Sequence, residues 1–160
     1  MTWPEPVERV TRFLRDAAAE ARVEEFPEGT PTAQAAAQAA GCELSQIVKS
    51  LVFVCDGRPV VVMVPGDRRA DRRKVAAAAD CRSARTAGAE EVEDATGFTP
   101  GAVAPFPLRR VERVFVERTL LANKIVWIGA GSPNHLAALP PAELVRLSRA
   151  EPIDAVEVDT

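Results

Sequence analysis

Lys49 stands in Ile47-Val48-Lys49-Ser50-Leu51-Val52-Phe53-Val54, a run so rich in β-branched residues that it reads as a buried strand. An ammonium in such a place is costly to desolvate and needs either a route to water or an anionic partner. Further along lies Gly97-Phe98-Thr99-Pro100-Gly101-Ala102-Val103-Ala104-Pro105. In such a loop glycine lets backbone N–H groups approach a ligand and proline holds the turn. A cation and a cradle of main-chain donors suit a ligand with phosphate or ester oxygens. Each feature also has a plainer reading: a strand lysine can snorkel to solvent, and a Gly/Pro segment can simply reverse the chain. Arg68, Arg69, Arg72, Arg73 and Lys74, relieved by Asp71, are either a solvated helix face or a strip that pairs with phosphates.

Other chemistries are poorly served. The single histidine, His135, excludes His-rich metal sites and H-E-x-x-H. A Ser/His/Asp triad would have to use His135, and no G-x-S-x-G element precedes a helix. Neither G-x-G-x-x-G nor a Walker loop is present, so no nucleotide cofactor is expected, and no metal. Cys42, Cys55 and Cys81 are odd in number, widely spaced and free of C-x-x-C pairing, which reads as reduced, mostly buried thiols.

The bulk numbers set a frame for these residues. A chain of 160 residues suits one domain over 1–160. Its apolar fraction of 47% and charged fraction of 27% are ordinary for a globular protein. A net charge of −3 gives no global attraction to a polyanion, so any nucleic-acid contact must come from local patches. The first residues lack the basic and apolar regions of a signal peptide. No apolar run approaches the roughly 20 residues that span a bilayer. A cytoplasmic protein is expected, with neither membrane nor DNA as partner.

The elements that must position Lys49 and the loop follow from pattern. Residues 5–22 carry Val7, Val10, Phe13, Leu14, Ala17 and Ala21 at helical spacing. Thr30 is placed as an N-cap with Pro31 at the first helical position, and the alanine-rich helix that follows ends at Gly41. Strands over about 47–55 and 59–65 flank Asp56-Gly57, a strong hairpin signal. Helices are expected over 71–79, 88–95 and 140–149. A short strand is expected near 81–85, strands over 111–117 and 124–129, and an edge strand over 153–158. Gly129-Ala130-Gly131-Ser132-Pro133-Asn134-His135 reads as a turn. Interleaved helices and strands around a hairpin give a mixed-sheet α/β (α+β) domain.

Three segments in register resemble the YbaK-type aminoacyl-tRNA deacylases, which are similar to the editing domain inserted in many bacterial prolyl-tRNA synthetases. The first runs from Thr30-Pro31-Thr32 through Gly41 to Gln46-Ile47-Val48-Lys49-Ser50-Leu51-Val52-Phe53. The second is Glu90-Glu91-Val92-Glu93-Asp94-Ala95-Thr96-Gly97 leading into the G-x-x-x-P element Gly101–Pro105. The third is Ile128-Gly129-Ala130-Gly131, then His135, then Leu139-Pro140-Pro141-Ala142-Glu143-Leu144. Together they cover roughly residues 25–150.

The resemblance implies a partly barrel-like mixed β-sheet flanked by helices, and hydrolysis of the ester between a wrong amino acid and the 3′-terminal adenosine of a tRNA. It carries the essential lysine onto Lys49 and the loop onto Gly101, Ala102, Val103, Ala104 and Pro105. Thr30 and His135 become pocket residues. Typical members have a second glycine or a serine inside the loop, where this chain has Ala102 and Ala104. The implied partners are a mischarged tRNA, with alanine or cysteine on proline tRNA the best-known substrates, and a prolyl-tRNA synthetase. Physical chemistry agrees with a second sieve, since one methylene supplies a synthetase with only about 1–3 kcal/mol of discrimination. Hydrolysis of an activated ester needs a placed water and an oxyanion site, and a substrate hydroxyl is the expected activator of that water. A non-catalytic module that binds aminoacyl-tRNA or a synthetase is the alternative.

Overall fold

The computed structural model describes residues 2–158. Helix α1 (Glu5–Asp16) buries Val7, Val10 and Leu14. The helix expected over 5–22 therefore stops early: Ala18 turns to φ +50°, and Arg22–Glu25 becomes strand β1. Alanines at 17–19 and 21 suit a helix as well as a loop, so the pattern hides this boundary. Helix α2 (Ala33–Ala40) is capped by Thr32, whose hydroxyl accepts from Ala35 N–H. That corrects the assignment of Thr30 as cap. Gly41, left-handed at φ +70°, ends α2 as its type suggests.

Strands β2 (Val48–Cys55) and β3 (Arg58–Pro65) form an antiparallel hairpin. Asp56 and Gly57 both take positive φ, +48° and +82°, as a tight primed turn requires. Next come α3 (Arg72–Ala78), capped by Asp71, β4 (Ala84–Thr86) and α4 (Ala89–Thr96). The chain closes with β5 (Arg113–Glu117), β6 (Val126–Ser132), β7 (His135–Leu139), α5 (Pro141–Ser148) and β8 (Glu151–Ile153).

The strands make two sheets. One has five strands in the order β4-β2-β3-β5-β8, antiparallel at β2–β3 and parallel at β3–β5 and β5–β8. The other is the antiparallel β1-β7-β6. They meet at a parallel bridge between Ile47 and Trp127, and the barrel stays open. Strand β3 is central and covered on both faces, which explains its unbroken Val60–Val64 run. Val61 and Met63 face the core shared with β6, α1 and α5, while Val60, Val62 and Val64 face Val75 and Phe115. Buried Glu117 accepts from Thr119 N–H at 2.8 Å and Ala155 N–H at 2.7 Å, so its carboxylate ties the chain after β8 to β5.

The segment 129–135 is not simply a turn. Strand β6 runs to Ser132, the reversal is confined to Pro133-Asn134, and His135 opens β7. Its two glycines answer to packing: a Cβ on Gly129 would lie 2.7 Å from Val103 O, and one on Gly131 would lie 2.8 Å from the Pro6 carbonyl carbon.

Met63 is fully buried where the two sheets pack. Met63→Ala is expected to lower stability by about 2–5 kcal/mol in urea denaturation. A loss under 1 kcal/mol would contradict the packing described.

Candidate functional site

A cavity of about 290 Å³ lies where α2, β2, β6 and the loop after α4 converge. Lys49, Ser50 and Leu51 form one wall, Gly101 and Val103 another, and Thr30, Thr32 and Ser132 supply hydroxyl-bearing side chains. No Asp or Glu is among the residues that line it.

Lys49 is half-buried, and its Nζ donates to Arg68 O at 2.8 Å. Burial, and then the positive charge of Arg69, hold its pKa below the ordinary lysine value, while Asp67 opposes them. The carbonyl satisfies one N–H and no carboxylate is bonded to Nζ, so the ammonium retains donors for an anion or a dipolar oxygen.

The opposing wall is main chain. Gly101 takes φ +83° and is exposed. Ala102 N–H closes a turn on Thr99 O at 3.0 Å, whereas among the described residues neither Gly101 nor Val103 N–H has a backbone acceptor. Several contacts hold the loop in place. Arg9 donates to Gly97 O at 2.7 Å and lies over the Phe98 ring. Thr96 Oγ1 accepts from Phe98 N–H, and Val103 O rests on Gly129.

The residues expected at the site divide into two groups. Lys49, Thr30, Gly101 and Val103 line one cavity. Ala102, Ala104 and Pro105 are buried behind the loop, with Ala102 and Ala104 in the core. Small side chains at 102 and 104 thus let the loop lie against the sheet rather than shape the pocket from inside. Thr30 Oγ1 donates to Pro133 O, which fastens the chain entering α2 to the β6–β7 turn.

His135 is 2% exposed and sits behind the lining. Its Nδ1 is 2.6 Å from Ser132 Oγ, and its Nε2 lies 3.5 Å from Glu25 Oε2. Burial pushes its pKa down, with Glu25 pulling the other way. Ser132 and Glu25 carry no motif signal: Glu25 reaches His135 only through the β1–β7 register.

A larger cavity, about 640 Å³, lies at the far end of the β2–β3 hairpin beside Cys55, Cys81 and Arg113. Burial, and then a hydrogen bond with Cys81, push the Cys55 thiol up to about 12. Such a thiol is protonated at neutral pH and is no nucleophile. No cluster of three or more His, Cys, Asp or Glu among the described residues could hold a metal ion.

Residues 27–147 match the model of the aminoacyl-tRNA editing domain. This chain belongs to the aminoacyl-tRNA editing domain family. It is 34% identical over 127 residues to an uncharacterized protein, YwhH, of Bacillus subtilis (strain 168), covering 79% of this chain and 80% of that one. Proline–tRNA ligase of Nitratidesulfovibrio vulgaris (strain DP4) is 38% identical over 88 residues, which are 55% of this chain but 15% of the ligase. A crystal structure of a provisionally assigned trans-editing enzyme for prolyl tRNA synthetase superimposes with a TM-score of 0.91 and 34% identity, covering 98% of this chain and 100% of that one. The editing-domain family supports deacylase activity in general terms and an association with prolyl-tRNA editing. No helix among the described residues is long and apolar enough to cross a membrane.

Gly129 keeps the loop wall close to β6. Gly129→Ala is expected to displace the Val103 main chain and cost about 1–3 kcal/mol in urea denaturation. An unchanged unfolding midpoint would show that Val103 does not press on Gly129.

Proposed function

We propose that this editing domain acts as a trans-editing hydrolase that removes a small wrong amino acid from mischarged tRNA, alanine or cysteine on proline tRNA in particular. The observation that carries the proposal is that Lys49 and the Gly101–Val103 main chain line one small cavity. Its volume, about 290 Å³, is at the lower end for a ligand pocket, and Ala33, Ala36, Val103 and Leu136 make much of its wall apolar. That suits a side chain of one or two heavy atoms and disfavours a proline ring only modestly, so orientation at the ester must add to the selection.

In this mechanism Lys49 leaves Arg68 O and holds the terminal adenosine's phosphate or the ester carbonyl. The Gly101 and Val103 N–H groups receive the oxyanion as water adds to the carbonyl carbon, an interaction worth about 3–4 kcal/mol per donor in comparable acyl-transfer sites. A substrate hydroxyl takes the attacking water's proton and passes it to the ribose 3′-oxygen as the tetrahedral intermediate expels it, leaving the free amino acid and the tRNA. Arg69, Arg72 and Arg73 are exposed on the segment that also supplies Arg68 O. They give the acceptor-stem phosphates a path to the cavity. Lys74 is already committed to Asp154 and Val156 O.

The test is single-turnover hydrolysis of alanyl-, cysteinyl- and prolyl-tRNA(Pro) by the wild-type and Lys49→Ala proteins. Deacylation of the small esters is expected, with a loss of at least 100-fold in the variant and an unchanged melting temperature. Near-full activity in Lys49→Ala would refute the role of the lysine. Protection of the ester by the wild type would favour a binding module.

A further inference from the structure

The side-chain acceptors that line the cavity are neutral hydroxyls, facing the Lys49 ammonium. Lys49 is a donor, and Thr30 Oγ1 gives its proton to Pro133 O while keeping its lone pairs. Thr32 Oγ1 caps α2 by accepting from Ala35 N–H. No carboxylate lines the cavity. Every aminoacyl ester brings an α-amine, a donor that needs an acceptor once it leaves water.

Ser132 is the lining hydroxyl whose proton is fixed by a buried network, whereas Ser50 Oγ is buried with no partner. His135 Nε2 is buried with no hydrogen bond, and the group facing it is Glu25 Oε2 at 3.5 Å. An ionised carboxylate only accepts, so the network assigns the ring proton to Nε2. Nδ1 is then bare, and the 2.6 Å contact with Ser132 Oγ is one in which Ser132 donates. The serine's only proton is thus turned away from the cavity. One lone pair on Oγ accepts from Asn134 N–H at 3.0 Å. The other remains.

We infer that Ser132 is the specificity-determining acceptor for the α-amine of the bound ester, with His135 and Glu25 as the positioning residues that keep its proton inward. The inference rests on the deacylase function proposed above and adds a requirement to it: acyl groups without an amine are poorer substrates. It also predicts a pH signature. The groups around the His135 ring are Glu25 from β1, Trp3 edge-on at 5.0 Å, and Ser132 and Asn134 of its own hairpin, of which Glu25 alone is ionisable. When His135 takes a second proton, Nδ1 becomes a donor to Ser132. The serine's proton is then freed to point at the substrate, and preference for the amine is lost.

The experiment compares kcat/KM for alanyl-tRNA(Pro) and its des-amino counterpart, propionyl-tRNA(Pro), across wild-type, Ser132→Ala, Ser132→Cys and Ser50→Ala proteins. Ser50 is the rival acceptor, because its hydroxyl is buried without a partner in the wall of the same cavity. Ser132→Ala and the near-isosteric Ser132→Cys are each expected to lower the alanyl value about tenfold, the scale of one hydrogen bond. The propionyl value should stay within about twofold. In the wild type the alanyl-to-propionyl ratio should fall as pH drops through the His135 titration, and in Ser132→Ala it should be flat. Equal losses on both substrates, no loss on either, or selective loss in Ser50→Ala instead would overturn the assignment. A wild type that cleaves propionyl- and alanyl-tRNA equally well would overturn it while leaving the deacylase function standing. One that cleaves neither would remove that function and the inference together.

Discussion

A half-buried ammonium that has found a carbonyl but no counterion is the constraint from which the site follows. Strand β2 must be apolar to pair with β3 and to fill the space between the sheets, yet it carries Lys49 in its second position. The bond to Arg68 O offsets part of the desolvation cost and fixes where Nζ sits. Asp67 offsets the charge only in part, since burial and Arg69 still hold the lysine pKa below its ordinary value. Because no Asp or Glu lines the adjoining cavity, the positive potential there is available to a ligand's phosphate or carbonyl oxygen rather than quenched by the protein.

Such a cation is useful only if the opposite wall holds still. The Gly101–Val103 main chain is anchored at one end by Arg9, Phe98 and Thr96, in the middle by Val103 O against Gly129, and behind by Ala102 and Ala104 in the core. These contacts arise from α1, α4 and β6, elements far apart in sequence. In the proposed mechanism these contacts keep two main-chain donors preorganised where the oxyanion would form, so that little reorganisation is needed. Under that proposal the helices and the core act on the chemistry through the position of one loop.

Much of this was legible in residue order. Asp56-Gly57 specified the hairpin, Gly41 ended its helix, and Lys49 and Gly101 do share a cavity. What failed was local propensity where tertiary pairing decided. Arg22–Glu25 has no strand pattern of its own and is extended because it pairs with β7. The breaker-rich 129–135 segment is mostly strand because Gly129 and Gly131 answer to neighbours, Val103 and Pro6, that no local window contains. The same blindness hid the Glu25–His135–Ser132 chain, whose first member joins the others only through sheet register. Ala102 and Ala104 were expected as pocket walls, and the fold turns their side chains into the core.

The central claim is that the Lys49 ammonium and the Gly101–Val103 donors grip one ligand from opposite sides. A crystal structure with a non-hydrolysable, amide-linked 3′-alanyl-adenosine tests it most directly. The account predicts the alanyl carbonyl within hydrogen-bond reach of the loop N–H groups and Nζ moved from Arg68 O onto a ligand oxygen. Density for the ligand beside Cys55 and Cys81, or a bound ligand with Nζ still on Arg68 O, would contradict it.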